Sequence, residues 1–226
     1  PNEALARAIV RSILEPCQSI GYSKPFDEVY PQIRDMADDD TGDKLVKRMA
    51  QNGINKTVVC IVDNFATGMS TANVMRLNEL CAAMAKKHPG KLIPLAGIDP
   101  RRPEAPVLLR RCLDEYKMSG LKWHPDHGYY PNSPEAYVVL KVLSDFGLPL
   151  LTHCSPLPDN KAKYTHPIYL DDIAADFPDI EIIAAHMGFL WWHEWAALAQ
   201  FKKNISGDMA LWQCIGEGKP VLFRRY

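Results

Sequence analysis

Two histidines each close a short apolar run in this chain, one ending Pro149-Leu-Leu-Thr-His153 and the other ending Glu181-Ile-Ile-Ala-Ala-His186. Neutral imidazole ligates divalent metals and moves protons near neutral pH, so paired strand-end histidines point to metal or acid–base chemistry. Other polar residues recur at the same kind of place. Asp63 and Asn64 follow one apolar run, and Asp99 with Arg101 and Arg102 follows the next. Then come Lys122, His124, Asp126 and His127, and last Asp208. In Gly120-Leu-Lys-Trp-His124, strand alternation puts Lys122 and His124 on one face and Leu121 and Trp123 on the other. A buried lysine is costly unless paired. An inward Lys122 therefore calls for a bound anion, a metal-bridging modification or an acid within the fold. His124 precedes Pro125 and reads equally well as a strand terminator. His88, His166 and His193 fall in or beside helical patterns and read as structural; Trp191, Trp192 and Trp195 read as core packing or as the wall of a pocket.

The elements that must position these residues form a βα alternation. Strands are expected at 56–62, 92–98, 120–124, 148–153, 180–186 and 204–209, short and apolar as strands buried on both faces should be. Helical patterns lie between them at 70–88, 104–117, 134–146, 167–176 and 190–202, several ending in a Pro or Gly stop. A further helix is expected at 41–52 and another at 3–14, with a turn-rich stretch completing residues 1–40. Units of about 30 residues suit successive βαβ crossovers. Their unbroken rhythm favours an α/β fold of the (β/α)8 TIM-barrel type, as one domain over 1–226. In such a barrel, reacting groups come from the C-terminal strand ends, where the polar residues above fall.

Composition excludes several classes. The chain of 226 residues is 47% hydrophobic and 23% charged with a formal net charge of -1, so nothing favours nucleic acid or an acidic membrane surface as partner. No apolar stretch approaches the roughly 18 residues needed to span a bilayer. Six cysteines stand far apart at 17, 60, 81, 112, 154 and 214, which reads as reduced thiols in a cytoplasmic protein. Dinucleotide, P-loop, nucleophile-elbow and His-Glu-x-x-His motifs do not occur.

Four segments in order, Gly120-Leu-Lys-Trp-His-Pro125, Gly147-Leu-Pro-Leu-Leu-Thr-His-Cys154, Phe177-Pro-Asp-Ile-Glu-Ile-Ile-Ala-Ala-His-Met-Gly188 and Asn204-Ile-Ser-Gly-Asp208, resemble the amidohydrolase superfamily. The nearest branch includes aminocarboxymuconate-semialdehyde decarboxylase, and the likeness runs from about residue 40 to about 212. The resemblance implies a (β/α)8 barrel with one divalent metal, often Zn2+, with Mn2+ as alternative. It implies that His153 ligates the metal from the fifth strand and that His186 ends the sixth as catalytic acid/base. It also implies that Lys122 lines the pocket. The family's His-x-His pair has no counterpart here, and Asp208 falls on the seventh strand rather than the eighth. The chain is accordingly expected to show strands 2–7, with strands 1 and 8 outside it.

The reading that follows is a metal-dependent hydrolase acting on a small carboxylate-, amide- or lactone-containing substrate through activated water. His186 moves protons. Lys122, His124, Arg101 (or Arg102) and Trp191 bind the substrate. The alternative within the fold is a non-oxidative decarboxylase; the alternative outside it is a ligand-binding barrel without catalysis. With two strand-end ligands alone, these residues are expected to hold no stoichiometric metal and to turn nothing over. The open strand edges of an unclosed barrel invite association or poor solubility, a homodimer being one outcome.

Overall fold

Short, largely apolar runs that alternate with amphipathic helices bury both faces only when the strands lie parallel beneath their crossover helices. That is the arrangement in the computed structural model, which describes residues 23–156, 160–210 and 212 with positions 3, 7, 10, 11, 14, 15 and 18. Six strands, β1 (Thr57–Cys60), β2 (Leu92–Gly97), β3 (Leu121–Trp123), β4 (Leu150–His153), β5 (Ile182–Ala185) and β6 (Ile205–Gly207), form one all-parallel sheet in sequential order. Helices alternate with them: α1 (Phe26–Ala37), α2 (Asp43–Gln51), α3 (Thr71–Lys87), α4 (Ala105–Asp114), α5 (Pro134–Asp145), α6 (Tyr169–Asp176) and α7 (Trp192–Phe201). The result is a curled set of consecutive units of a (β/α)8 barrel.

Local chemistry explains the boundaries. Ser70 caps α3 by accepting the Asn73 amide, and Ser133 caps α5 by accepting the Ala136 amide with Pro134 as its first residue. Helix α1 lies where a turn-rich stretch is expected. Pro25 stands outside its first turn, Asp27 and Glu28 complement its N-terminal dipole, and the helix carries Pro31 inside it. Of the helix expected over 3–14, the described residues 3, 7, 10, 11 and 14 are helical, and the others lie outside the described residues.

Strand register sorts the two faces of the sheet. Lys122 lies abreast of Gly97 and Leu151, Leu151 abreast of Ile183, and Ile183 abreast of Ser206. Leu151, Ile183 and Ser206 are half-buried, whereas Leu121, Trp123, Leu150, Ile182 and Ala184 in the alternate positions are sealed into the core. The alternate set faces the helices, where it packs with Leu109, Val139, Leu143 and Ile173. Gly97 has no room for a side chain, since a Cβ there would meet the Ile61 carbonyl at 2.3 Å. Cys81, Cys112 and Cys154 are buried free thiols pushed up to about 12 by desolvation, while the free thiol of Cys60 is exposed. Among the described residues no helix is long and apolar enough to cross a membrane.

Candidate active site

The loops after β3, β4 and β5 converge four imidazoles. The His124 ring stacks on His127 at 5.5 Å and on His153 at 5.2 Å, and His153 meets His186 edge-on at 5.0 Å. The two histidines singled out by sequence therefore sit side by side. They arrive differently: His153 is the last residue of β4, whereas His186 lies just past β5 in a strained turn. His186, Met187 and Phe189 all take positive φ, at 66°, 47° and 38°. Such backbone costs on the order of 1–3 kcal/mol per residue and persists only where its surroundings enforce it. Here Asp208 Oδ1 accepts the His186 amide at 3.0 Å, and Trp212 Nε1 donates to the His186 carbonyl at 2.6 Å. The small residue abreast of His153 is Ala185.

Hydrogen bonds fix which ring nitrogens are free. A carbonyl only accepts, so His186 Nδ1 carries the proton it gives to the Ala210 carbonyl at 2.9 Å, leaving Nε2 with its lone pair. By the same logic His153 Nε2 donates to the Ser155 carbonyl at 2.9 Å, and its Nδ1 is the free nitrogen. Burial pushes the basicity of His124 and His186 down and that of His153 far down, with the Lys122 charge acting in the same direction on all three.

Two charged groups inside this mouth are not fully partnered among the described residues. Lys122 is 7% exposed, and among the described residues its ammonium makes no hydrogen bond or ion pair; burial lowers its pKa. It lines a cavity of about 10 Å³, roughly one water, with Asp63, Asp99, His124 and Tyr129. Asp126 has a side chain with no exposure, and its Oδ1 has no hydrogen-bond partner although His124 Nδ1 stands 3.3 Å away. Burial alone would raise this carboxyl, but the close contact with His124 and the other imidazoles around it outweigh burial and hold it low, at about 2.

Arg101, expected to bind substrate, is already committed. Its Nε and Nη2 hold both oxygens of Asp99 at 2.9 and 2.6 Å, and Nη1 reaches the carbonyls of His127 and Gly128. Arg102 grips Asp63 in the same bidentate way at 2.7 Å. Arg101 thereby ties the loop after β2 to the loop after β3, and Arg102 ties it to the loop after β1. Trp191 is half-buried and leans on His166 at 5.0 Å. Asp126 and His127, marked by the strand-end spacing His124-Pro-Asp-His127, lie beside His124. Ser155 joins them through His153 Nε2, which no sequence pattern signals.

The sequence of residues 26–217 matches the family model described as Amidohydrolase. No curated protein matches the chain. Among solved structures, an uncharacterized TIM-barrel protein from Bordetella bronchiseptica aligns at 20% identity and TM-score 0.66, over 89% of this chain and 70% of that one. The 5-carboxyvanillate decarboxylase of Sphingomonas paucimobilis aligns at 17% identity and TM-score 0.53, over 73% of this chain and 63% of its own. A dihydroxybenzoic acid decarboxylase from a Polaromonas species, solved with bound manganese and the inhibitor 2-nitroresorcinol, aligns at 19% identity and TM-score 0.54, over 73% and 59%. The chain thus spans about three-fifths of the length of these two decarboxylases.

Proposed function

Because the chain belongs to the amidohydrolase family, we propose that its strand-end pocket serves a metal-dependent, non-oxidative decarboxylation of a small aromatic or unsaturated carboxylate. The observation that carries this reading is the buried, unpaired ammonium of Lys122 beside neutral imidazoles. A cation held out of water without a partner is stabilised by an anionic ligand, and a substrate carboxylate or phenolate supplies one. Hydrolysis, the first expectation from sequence, would use the same pocket, but a neutral amide or lactone would leave Lys122 unpaired. The decarboxylases of similar fold support the same choice.

The donor chemistry of the pocket fits a divalent cation. Imidazole and carboxylate suit zinc or manganese, and the orphaned Asp126 Oδ1 is a buried acceptor awaiting a positive partner. By resemblance His153 is a ligand, through the Nδ1 that Ser155 leaves free. When bound, the ion would act as a Lewis acid toward an oxygen of the substrate. Lys122 and His124 would receive the anionic substrate, with Trp191 as an apolar wall. When the carbon–carbon bond breaks, CO2 leaves and the electron pair stays on the substrate carbon. His186 Nε2, which holds a lone pair while Nδ1 is anchored on Ala210, would first take up a proton from solvent and then pass it to that carbon. Two neutral products, CO2 and the protonated arene or alkene, result.

The test is CO2 release from a panel of hydroxybenzoates and unsaturated acids, against hydrolysis of matched amides and lactones. The Lys122→Met variant should lose about 100-fold in kcat/KM, the scale of an unpaired buried charge contact, and keep its folding stability. Hydrolysis of amides or lactones with no CO2 from any acid would reject the proposal.

A further inference from the structure

We propose that His124, Asp126 and His127 form a divalent-cation site of their own, independent of His153. It is a second site, beside the one that the resemblance gives to His153, and rests on the reading above only for lying in the same pocket. One donor atom from each of the three lies within 4.8 Å of the other two. One pair, His124 Nδ1 and Asp126 Oδ1, is 3.3 Å apart. Ligands held at about 2.0–2.1 Å around a tetrahedral ion stand about 3.3 Å from each other. This pair already has the spacing of two ligands, and the His127 donor lies within 4.8 Å of both.

The surroundings are built as the outer layer of a metal site is built. Asp126 Oδ2 accepts Asn160 Nδ2, and the Asp126 carbonyl accepts the Lys161 amide at 3.1 Å. One carboxylate oxygen is thereby fixed and the other left bare and fully buried. His127 Nδ1 lies 3.4 Å from the Asp63 carbonyl, the partner that turns a ligating imidazole and leaves Nε2 free. The turn between the ligands, a 3-10 segment Pro125–His127 closed by Gly128 at φ 109°, is pinned from two sides. Arg101 Nη1 donates to the His127 and Gly128 carbonyls, and the His124 amide donates to Tyr129 Oη at 3.2 Å. An Asp–His pair that served only to orient His124 would not need a third donor or a bare oxygen.

Two imidazoles and one carboxylate leave coordination positions open, as in catalytic and not structural sites. The ligand set also removes the basis for expecting no stoichiometric metal, because one turn supplies three donors. The experiment is titration of the metal-free protein with Co2+, following visible d–d absorption, with Kd from equilibrium dialysis. We expect one ion per chain at this site. The His153→Ala variant should bind it within about threefold of the parent. Asp126→Asn, which preserves shape, and His127→Ala should each weaken it by ~100-fold or more, beyond the ~10–100-fold that outer-layer losses cost. Circular dichroism checks that each variant folds, and should His127→Ala not fold, Asp126→Asn decides alone. The site is rejected when the parent binds no Co2+, or when Asp126→Asn keeps the ion and His153→Ala loses it. A protein that holds Co2+ on this triad and releases no CO2 upholds the site while rejecting the decarboxylase reading.

Discussion

The mouths of β1 and β2 and the mouths of β3 to β5 occupy the same level of one barrel and treat charge in opposite ways. At the first, Asp63 with Arg102 and Asp99 with Arg101 form bidentate pairs, the Asp63–Arg102 pair almost wholly buried. Every carboxylate there meets a fork that matches it. At the second, Lys122 and Asp126 are buried without saturating partners, and the backbone at His186 is strained. Desolvated polar groups left unmatched cost free energy that folding alone does not recover. The difference separates a scaffold, complete as folded, from the pocket in which we propose that a ligand and an ion bind.

The comparison can be broken first at the paired end. Arg102→Ala strands the Asp63 carboxylate in the core and should cost about 3–5 kcal/mol of unfolding free energy in urea. A loss under about 1 kcal/mol would erase the distinction between the two mouths. Next in size, Asp208→Ala removes the acceptor shared by the His186 and Ala210 amides. It should cost about 1–2 kcal/mol and speed hydrogen exchange at the His186 amide; unchanged exchange there would mean the strained turn is held by other contacts. Smallest, Ser155→Ala removes only a hydroxyl 3.1 Å from His153 Nε2. The Ser155 carbonyl still accepts from that nitrogen, so stability should move by less than about 1 kcal/mol. A larger loss would assign the hydroxyl, and not the carbonyl, to fixing the ring.

Much of this architecture was legible without coordinates. The six strands and the helices that follow them fall within a few residues of their apolar runs, because two-sided burial imposes a continuous apolar signature. Helix α1 escaped, since Pro25 and Pro31 signal breaks that this segment tolerates. In the site, alternation turned Lys122 inward, and its register beside Leu151 agrees with that. His186 was placed as a strand residue but projects from a left-handed turn. That conformation is set by Asp208 and Trp212 more than twenty positions away, so no local pattern announces it.

By itself, the sequence determined the parallel α/β rhythm, the family, and which strand ends carry imidazole, ammonium and carboxylate. The rhythm and the strand-end groups follow from periodicity and residue type, which are local, and the family follows from the resemblance carried by four segments. Only the tertiary structure decided that Arg101 and Arg102 are consumed by Asp99 and Asp63, that Lys122 and Asp126 Oδ1 are not consumed at all, and that four imidazoles share one mouth. Whether a charge is free or satisfied depends on which groups the closed sheet brings within about 3 Å of it. That distance is fixed by the packing of separate units and not by their order in the chain.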